Sequence, residues 1–348
     1  MGPKPKAISR DSFWFQIATV GLSLALCFAV IFIFWVQPDE FAAILVLPRW
    51  LWIGPGLVLA LLGWTHKRKL ISTTAIILWL LYGVFFVQEL RTVVRWRSGV
   101  AAEGAGLRLI TLNCNGGNES AAAEVKAFHP DLVFFEESPL RPVVRKMATN
   151  LLGADAKSFC SSDVSLLARG KVTPVAVENQ ESAPFIHAKV KFSSGFVTDV
   201  IVLRLQPYNI RADLWSPECW RNQAAIRRRQ REQFEWIRRE LDKIPPNEPI
   251  LLGGDFNLPA GDKLFGILKP RVRETFREAG HGWGDTLDDN IPVLRIDQIW
   301  CDEHFRVVSS EAHQTVNSDH RMVICNLSIV GSGEAESREK TDVPLSKK

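Results

Sequence analysis

The stretch ILLGGDFN (250–257) is an apolar run that closes on an acid and an amide. Consecutive apolar residues without alternation read as a strand covered on both faces. Gly253 and Gly254 allow close backbone approach. Asp255 and Asn257 are two residues apart, which puts a carboxylate and an amide on one face of an extended chain. Such a pair can hold and orient an attacking water. Four more stretches follow the same plan: LITLNCN (109–115), DLVFFEE (131–137), LRIDQIW (294–300) and NSDH (317–320). Strands that all end in Asn, Asp, Glu or His describe one site. Oxygen ligands for a hard cation, with one His beside them, suit metal-assisted phosphoester hydrolysis.

Within these stretches the roles divide by chemistry. Asn113 and Asn115 repeat the two-residue spacing and are expected on one face, with Gly116 and Gly117 turning the chain at once. Glu137 is the expected ligand of a divalent ion, while Glu136 is expected to point the other way. Asp297 lies inside an apolar strand, where a lone carboxylate is costly, so a partner is required. His320 is that partner: the carboxylate fixes its tautomer, and its cationic form can bind a phosphate oxygen. Asp319 is placed to reach the metal or the water.

Apolar runs of strand length recur at 107–113, 131–136, 164–168, 185–192, 197–205, 249–254, 293–300 and 320–328. Helical stretches are expected at Ala121–Phe128, Pro139–Leu152 and Ser216–Leu241, the last with Trp220, Ala224, Phe234, Ile237 and Leu241 as its buried stripe. Strands and helices mixed in this way suggest an α/β fold of two stacked mixed sheets with outer helices. The last helix also carries Arg221, Arg227, Arg228, Arg229, Arg231, Arg238 and Arg239. With Glu232, Glu235 and Glu240 between them, these read as a solvated face rather than a phosphate-facing patch.

The N-terminal part is different in kind. Phe13–Val36, Phe41–Trp64 and Leu70–Val87 are apolar runs. A helix of about 20 residues crosses a ~30 Å hydrocarbon layer. Residues 1–97 therefore read as a membrane anchor with about three transmembrane helices, its second run flawed by Pro48 and Arg49. Residues 98–106 read as a small, Gly-rich linker, 107–330 as the catalytic domain and 331–348 as a disordered tail. Lys4, Lys6 and Arg10 before the first run, and Lys67, Arg68 and Lys69 after the second, place both on the cytoplasmic side. Three spans then put the domain outside the cytoplasm. Arg91, Arg95 and Arg97 argue the other way.

Composition bounds the rest. A net charge of +4 is too mild to argue for nucleic acid. Six cysteines show no C-x-x-C spacing, which excludes a zinc ribbon or thioredoxin-like motif. Cys160 and Cys219 are the pair available for a disulfide in an oxidising compartment.

LNCN, FFEES, GGDFN, RIDQI and NSDH, in that order over the last two thirds of the chain, resemble the endonuclease/exonuclease/phosphatase (DNase I-like) superfamily. The N-terminal spans resemble those of its bacterial membrane-anchored branch. The resemblance implies a four-layer α/β sandwich and a Mg²⁺-dependent phosphoesterase, with Mn²⁺ as the alternative ion. Carried over by position, Asn113 and Asn115 fall at the first motif and Glu137 at the metal-binding Glu. Asp255 and Asn257 fall at the water-orienting pair, Asp297 at the partner of the catalytic His, and Asp319 and His320 at the closing motif. Asn115, Glu137 and Asp319 form the expected metal set; Asn113, Asp255, Asn257, Asp297 and His320 the catalytic one. Expected partners are a phosphoester (nucleic acid, lipid headgroup or small phosphate ester) and a lipid bilayer, with no protein partner. The expected location is a bacterial inner membrane.

Two departures stand out. Where many members carry a His, VIVLRLQPYN places Arg204, which binds phosphate but cannot donate a proton. Gln298 follows Asp297 where the family often has His. Arg204 is kept in the catalytic set as a phosphate clamp. It also motivates the alternative of a lapsed, scaffold-like protein of the same fold.

Overall fold

The computed structural model describes residues 10–64, 69–95, 106–208, 211, 213–269 and 271–330. The linker, except Gly106, and the C-terminal tail lie outside these residues. By packing, the chain falls into two units: Met1–Arg91 with Asn209–Ala225, and Thr92–Tyr208 with Ile226–Lys348.

In the first unit α1 (Arg10–Val36), a short α2 (Ala42–Leu45), α3 (Ile53–Leu62) and α4 (Lys69–Phe86) follow one another, with α5 (Gln88–Val94) leading out. α1 and α4 are long and apolar enough to cross a membrane. Their outer faces are apolar too: Leu22, Phe28 and Phe32 on α1 and Leu80 on α4 are more than half exposed. The run expected at 41–64 is not one straight span. It bends by 80° between Asp39–Leu45 and Arg49–Leu62. Pro48 lacks an N–H and disfavours helical backbone before it, so the helix stops there.

Small residues let the helices meet. A Cβ at Gly56 would fall within 2.4 Å of the Trp79 ring, so only glycine admits α4 there. Ser23 Oγ donates to Gly56 O at 2.8 Å and accepts from Trp79 Nε1 at 3.1 Å. Arg49 and Arg91 finish α4, donating to the carbonyls of Phe86 (3.3 Å), Val84 (2.8 Å) and Phe85 (2.5 Å). Those carbonyls have no partner within the helix.

The second unit carries two six-stranded sheets. In chain order its elements are β1 (Leu107–Asn113), α6 (Glu119–Glu124), β2 (Leu132–Glu136), α7 (Arg141–Leu152), β3 (Ala156–Cys160), β4 (Val164–Arg169), β5 (Lys171–Pro174), β6 (Phe185–Lys191) and β7 (Val197–Arg204). There follow α8 (Pro217–Asp242), whose first turns belong to the other unit, β8 (Ile250–Asp255), β9 (Arg273–Glu274), α9 (Thr275–Ala279), β10 (Asp297–Cys301), β11 (Phe305–His313) and β12 (Met322–Ile329). The sheets run β11-β12-β1-β2-β4-β3 and β5-β6-β7-β8-β10-β9. Leu109, Phe134, Leu166, Val202, Leu251 and Ile299 fill the space between them. Phe234, Ile237 and Leu241 of α8 cover one outer face, and Ala122, Val144 and Ala148 of α6 and α7 cover the other. This is the expected α/β sandwich.

All eight inner strands coincide with the expected apolar runs. The last two are shorter: Val293–Ile296 lies outside β10, and β12 begins at Met322. On α8, Phe234, Ile237 and Leu241 are fully buried as expected. Arg227 and Glu240, assigned to the solvated face, are instead buried. Arg227 is forked onto Asp262, with Nη2 at 3.0 Å from Oδ1. Glu240 Oε1 lies 2.8 Å from His187 Nδ1, while Nε2 of the same ring meets Asp199 at 2.9 Å. All six cysteines are free, so Cys160 and Cys219 do not pair.

Candidate active site

Strand direction explains why distant residues meet. β1 and β2 are parallel, as are β7 and β8, so Asn113, Glu136, Arg204 and Asp255 all stand at C-terminal strand ends. β10 is antiparallel to β8, and its first residue, Asp297, is the register partner of Asp255. β12 is antiparallel to β1, which brings the turn before it, with His320, to the end of β1. Gly254 is needed here: its φ is 137°, and a Cβ would lie 2.0 Å from Leu203 O.

Hydrogen bonds join most of the expected residues. Asn113 Nδ2 donates to Asp255 Oδ2 at 3.0 Å and reaches Glu137 Oε1 at 3.4 Å. Asp255 Oδ1 accepts from Asn257 N at 2.8 Å, and its Oδ2 from Asn257 Nδ2 at 3.0 Å. Glu137 Oε2 accepts from Gly116 N at 2.7 Å, and Oε1 from Arg204 Nη2 at 2.5 Å. His320 Nδ1 lies 2.8 Å from Asp297 Oδ2. Ligand atoms of Asp255, Asp297 and His320 lie within 4.8 Å of one another.

The electrostatics follow from crowding acids in a dry place. Burial, then the charge of Asp297, pushes Asp255 up to about 7. Burial alone would lower His320, but Asp297, with Asp255 and Asp319 behind it, raises it to about 10. Burial works to raise Glu137, yet Arg204, the Gly116 N–H and Asn113 hold it below the usual carboxylate range.

Two expected residues sit apart. β1 stops at Asn113, and Asn115 lies in a left-handed turn (φ 46°), so the two do not share a strand face. Asn115 is exposed, and its backbone N–H donates to Asn113 Oδ1 at 3.0 Å. Asp319 is exposed, and its carbonyl accepts from Asp289 N at 2.8 Å.

Three contributors carry no motif signal of their own, and Glu136, expected to point away, adds a fourth. Asp163, just before β4, takes both Arg204 Nη1 contacts at 3.3 and 3.2 Å. Ser318 Oγ donates to Asn113 O at 2.7 Å and accepts from His320 N at 3.0 Å, tying two motifs together. Thr111 Oγ1 donates to Glu136 Oε1 at 2.7 Å. Glu136 itself is fully buried beneath the site; burial, then Asp297, raises it well above the carboxylate range, and its Oε2 has no hydrogen-bond partner. An acid at the start of a strand antiparallel to β2 was the available signal for Asp163.

Acids, amides and one cationic imidazole gathered at the strand ends of a two-sheet sandwich define a phosphoester-hydrolase type of site. Residues 110–320 match the model of the Endonuclease/Exonuclease/phosphatase family, and the chain belongs to that family. Members of the family are hydrolases acting on phosphoester bonds. Similar solved structures include a Danio rerio TDP2 humanised by 14 mutations (16% identity, 64% of this chain and 98% of that one, TM-score 0.48). A Bacteroides vulgatus endonuclease/exonuclease/phosphatase is also similar (17%, 64% and 98%, TM-score 0.49), as is a Bacteroides thetaiotaomicron mannosyl-6-phosphatase (15%, 64% and 100%, TM-score 0.48). No curated protein matches the chain.

Proposed function

We propose that the chain is a membrane-anchored, divalent-metal-dependent phosphoesterase. The observation that carries this reading is the set of buried acids, Asp255 and Asp297, beside His320, with Glu137 one hydrogen-bonded amide away. The donor set fits a hard cation: it is rich in carboxylate and amide oxygens, and Asp297 Oδ1 is a buried oxygen without a hydrogen-bond partner. Glu137 would hold Mg²⁺; Asn115 and Asp319, exposed on turns, would join it only if those turns brought them in. The bound ion would supply Lewis-acid polarisation of the phosphate.

The residues of the chain do the rest. Asp255, fixed by Asn113 and Asn257, orients the attacking water and, titrating near 7, can take its proton. His320 holds its positive charge against Asp297 and donates from Nε2 to a phosphoryl oxygen as charge develops there. Arg204 offers a second, permanent positive charge but no proton. The anchor is α1 and α4, whose length and apolar outer faces suit a bilayer.

The test is hydrolysis of bis-p-nitrophenyl phosphate by the purified chain in detergent, with Mg²⁺ or with EDTA. Turnover is expected with Mg²⁺ only, and His320→Ala is expected to lower it by about 10²–10³-fold. Equal rates in both buffers, or an unaffected His320→Ala, would sink the assignment. The ion pair between Arg204 and Glu137 favours one second reading, a lapsed scaffold. Absence of Mg²⁺ binding by calorimetry at millimolar concentration would select it.

A further inference from the structure

Within the first unit, one end of the helical bundle gathers the C-terminal ends of α1 and α4 and the turn at Arg49. Arg49 lies 5.1 Å above the Phe34 ring and donates to Phe86 O, and Tyr82 Oη donates to Arg49 O at 3.0 Å. The exposed residues at these same chain positions, Trp35 (69%) and Phe85 (66%), are large and apolar.

A segment remote in sequence joins this end. Leu214 and Trp220 pack against the cluster that holds Phe34, Phe41, Trp50, Trp52 and Phe86. Trp220 meets Phe41 edge-on at 5.9 Å between centroids, and its Nε1 donates to Leu214 O at 2.8 Å. That bond ties Leu214 to the first turn of α8. Trp215, next to Leu214, is 83% exposed. Glu218 and Arg221 just after it are exposed and charged, so apolar and charged groups alternate along this stretch. An indole this exposed keeps its apolar body in water at a cost in free energy. At a headgroup boundary the same ring buries its apolar body while its N–H stays wet.

We propose that Leu214–Trp220 is a membrane-interface segment, with Trp215 seated in the headgroup region of the bilayer that α1 and α4 cross. This rests on the membrane reading of those two helices. The occupant is a lipid surface because Leu214 and Trp220 pack on the same end of the bundle where Trp35 and Phe85 of the spanning helices are exposed. The chain is thereby attached to the bilayer at a second place, more than a hundred residues after α4.

The test uses the full chain reconstituted in phosphatidylcholine–phosphatidylglycerol vesicles. Cys160 is changed to Ser, the other five cysteines being buried. A nitroxide is attached at Trp215→Cys, at Leu80→Cys on the outer face of α4, or at Lys157→Cys on β3. The label at 215 is expected to collide several-fold more with oxygen than with an aqueous nickel chelate, relative to the label at 157. A label at 215 that behaves as at 157, while the one at 80 is lipid-like, overturns the proposal. A water-exposed label at 80 overturns the membrane reading first, and this inference with it. As a label-free check, tryptophan quenching by brominated lipid is expected to weaken in Trp215→Phe; unchanged quenching counts against the proposal.

Discussion

Arg204 and Glu137 form an ion pair at the centre of the site, with Nη2 donating to Oε1 at 2.5 Å. The other guanidinium nitrogen is forked onto Asp163, and Nε lies 3.9 Å from Asp255 Oδ2. The expected ligand of the divalent ion therefore already has a positive partner. Arg204→Met is expected to tighten Mn²⁺ binding about tenfold, equivalent to about 1.4 kcal/mol, because Glu137 is released. Turnover is expected to fall in the same variant, because a fixed charge near the phosphate is lost. Calorimetry with Mn²⁺ and steady-state kinetics separate the two effects. Unchanged affinity would show that the pair does not compete with the ion.

The His320–Asp297 contact predicts a pH profile. With His320 raised to about 10, its imidazolium persists through neutral pH. kcat/KM is expected to show no loss from this group until the pH approaches 10. Asp297→Asn removes the charge that raises it, so the basic limb moves down toward the ordinary imidazole value of about 6.5. The sign carries over to stability. A histidine raised on folding contributes fully below about 6.5, and the contribution is lost as pH climbs through the folded value. A basic limb that stays in place in Asp297→Asn would rule out this account.

Asp199 predicts the acid limb of stability. Its carboxylate meets His187 and, through Oδ2, Lys189 Nζ at 2.9 Å. Burial alone would raise it, but the hydrogen bonds from His187 and Lys189 hold it below the usual range. A carboxylate lowered on folding stabilises above its unfolded value and loses that contribution as pH drops through the folded one. Asp199→Asn is therefore expected to flatten the acid side of a thermal-unfolding profile. At neutral pH it should cost about 1–3 kcal/mol, the penalty for leaving a buried hydrogen-bond partner unsatisfied. An unchanged acid limb would contradict this assignment.

What was legible in the sequence follows sheet position. β1, β2, β4, β6, β7, β8, β10 and β12 are interior strands, covered on both sides, and each shows as an apolar run. The four that escaped, β3, β5, β9 and β11, are the sheet edges. KVTP and FRVVSSEAH mix polar and apolar residues because an edge is only partly covered. The motifs at 113, 137, 255, 297 and 320 were readable for the same reason: each closes an interior strand or opens one. Asp163 and Ser318 were not, since both act from turns and take their meaning from residues far along the chain. The two-residue spacing misled at Asn115, where a left-handed backbone replaces the strand. At 41–64 the sequence showed the flaw itself, Pro48, and the structure bends the run there by 80°.

Glu136 and Glu137 are neighbours of one chemical kind, but the first faces a dry interior and the second an arginine and two N–H donors. Burial favours the neutral acid at the first, while the arginine and the N–H donors favour the anion at the second. An isosteric amide is then a silent replacement at 136 and a disabling one at 137, and the same pair of substitutions tells which of the two glutamates the cation needs.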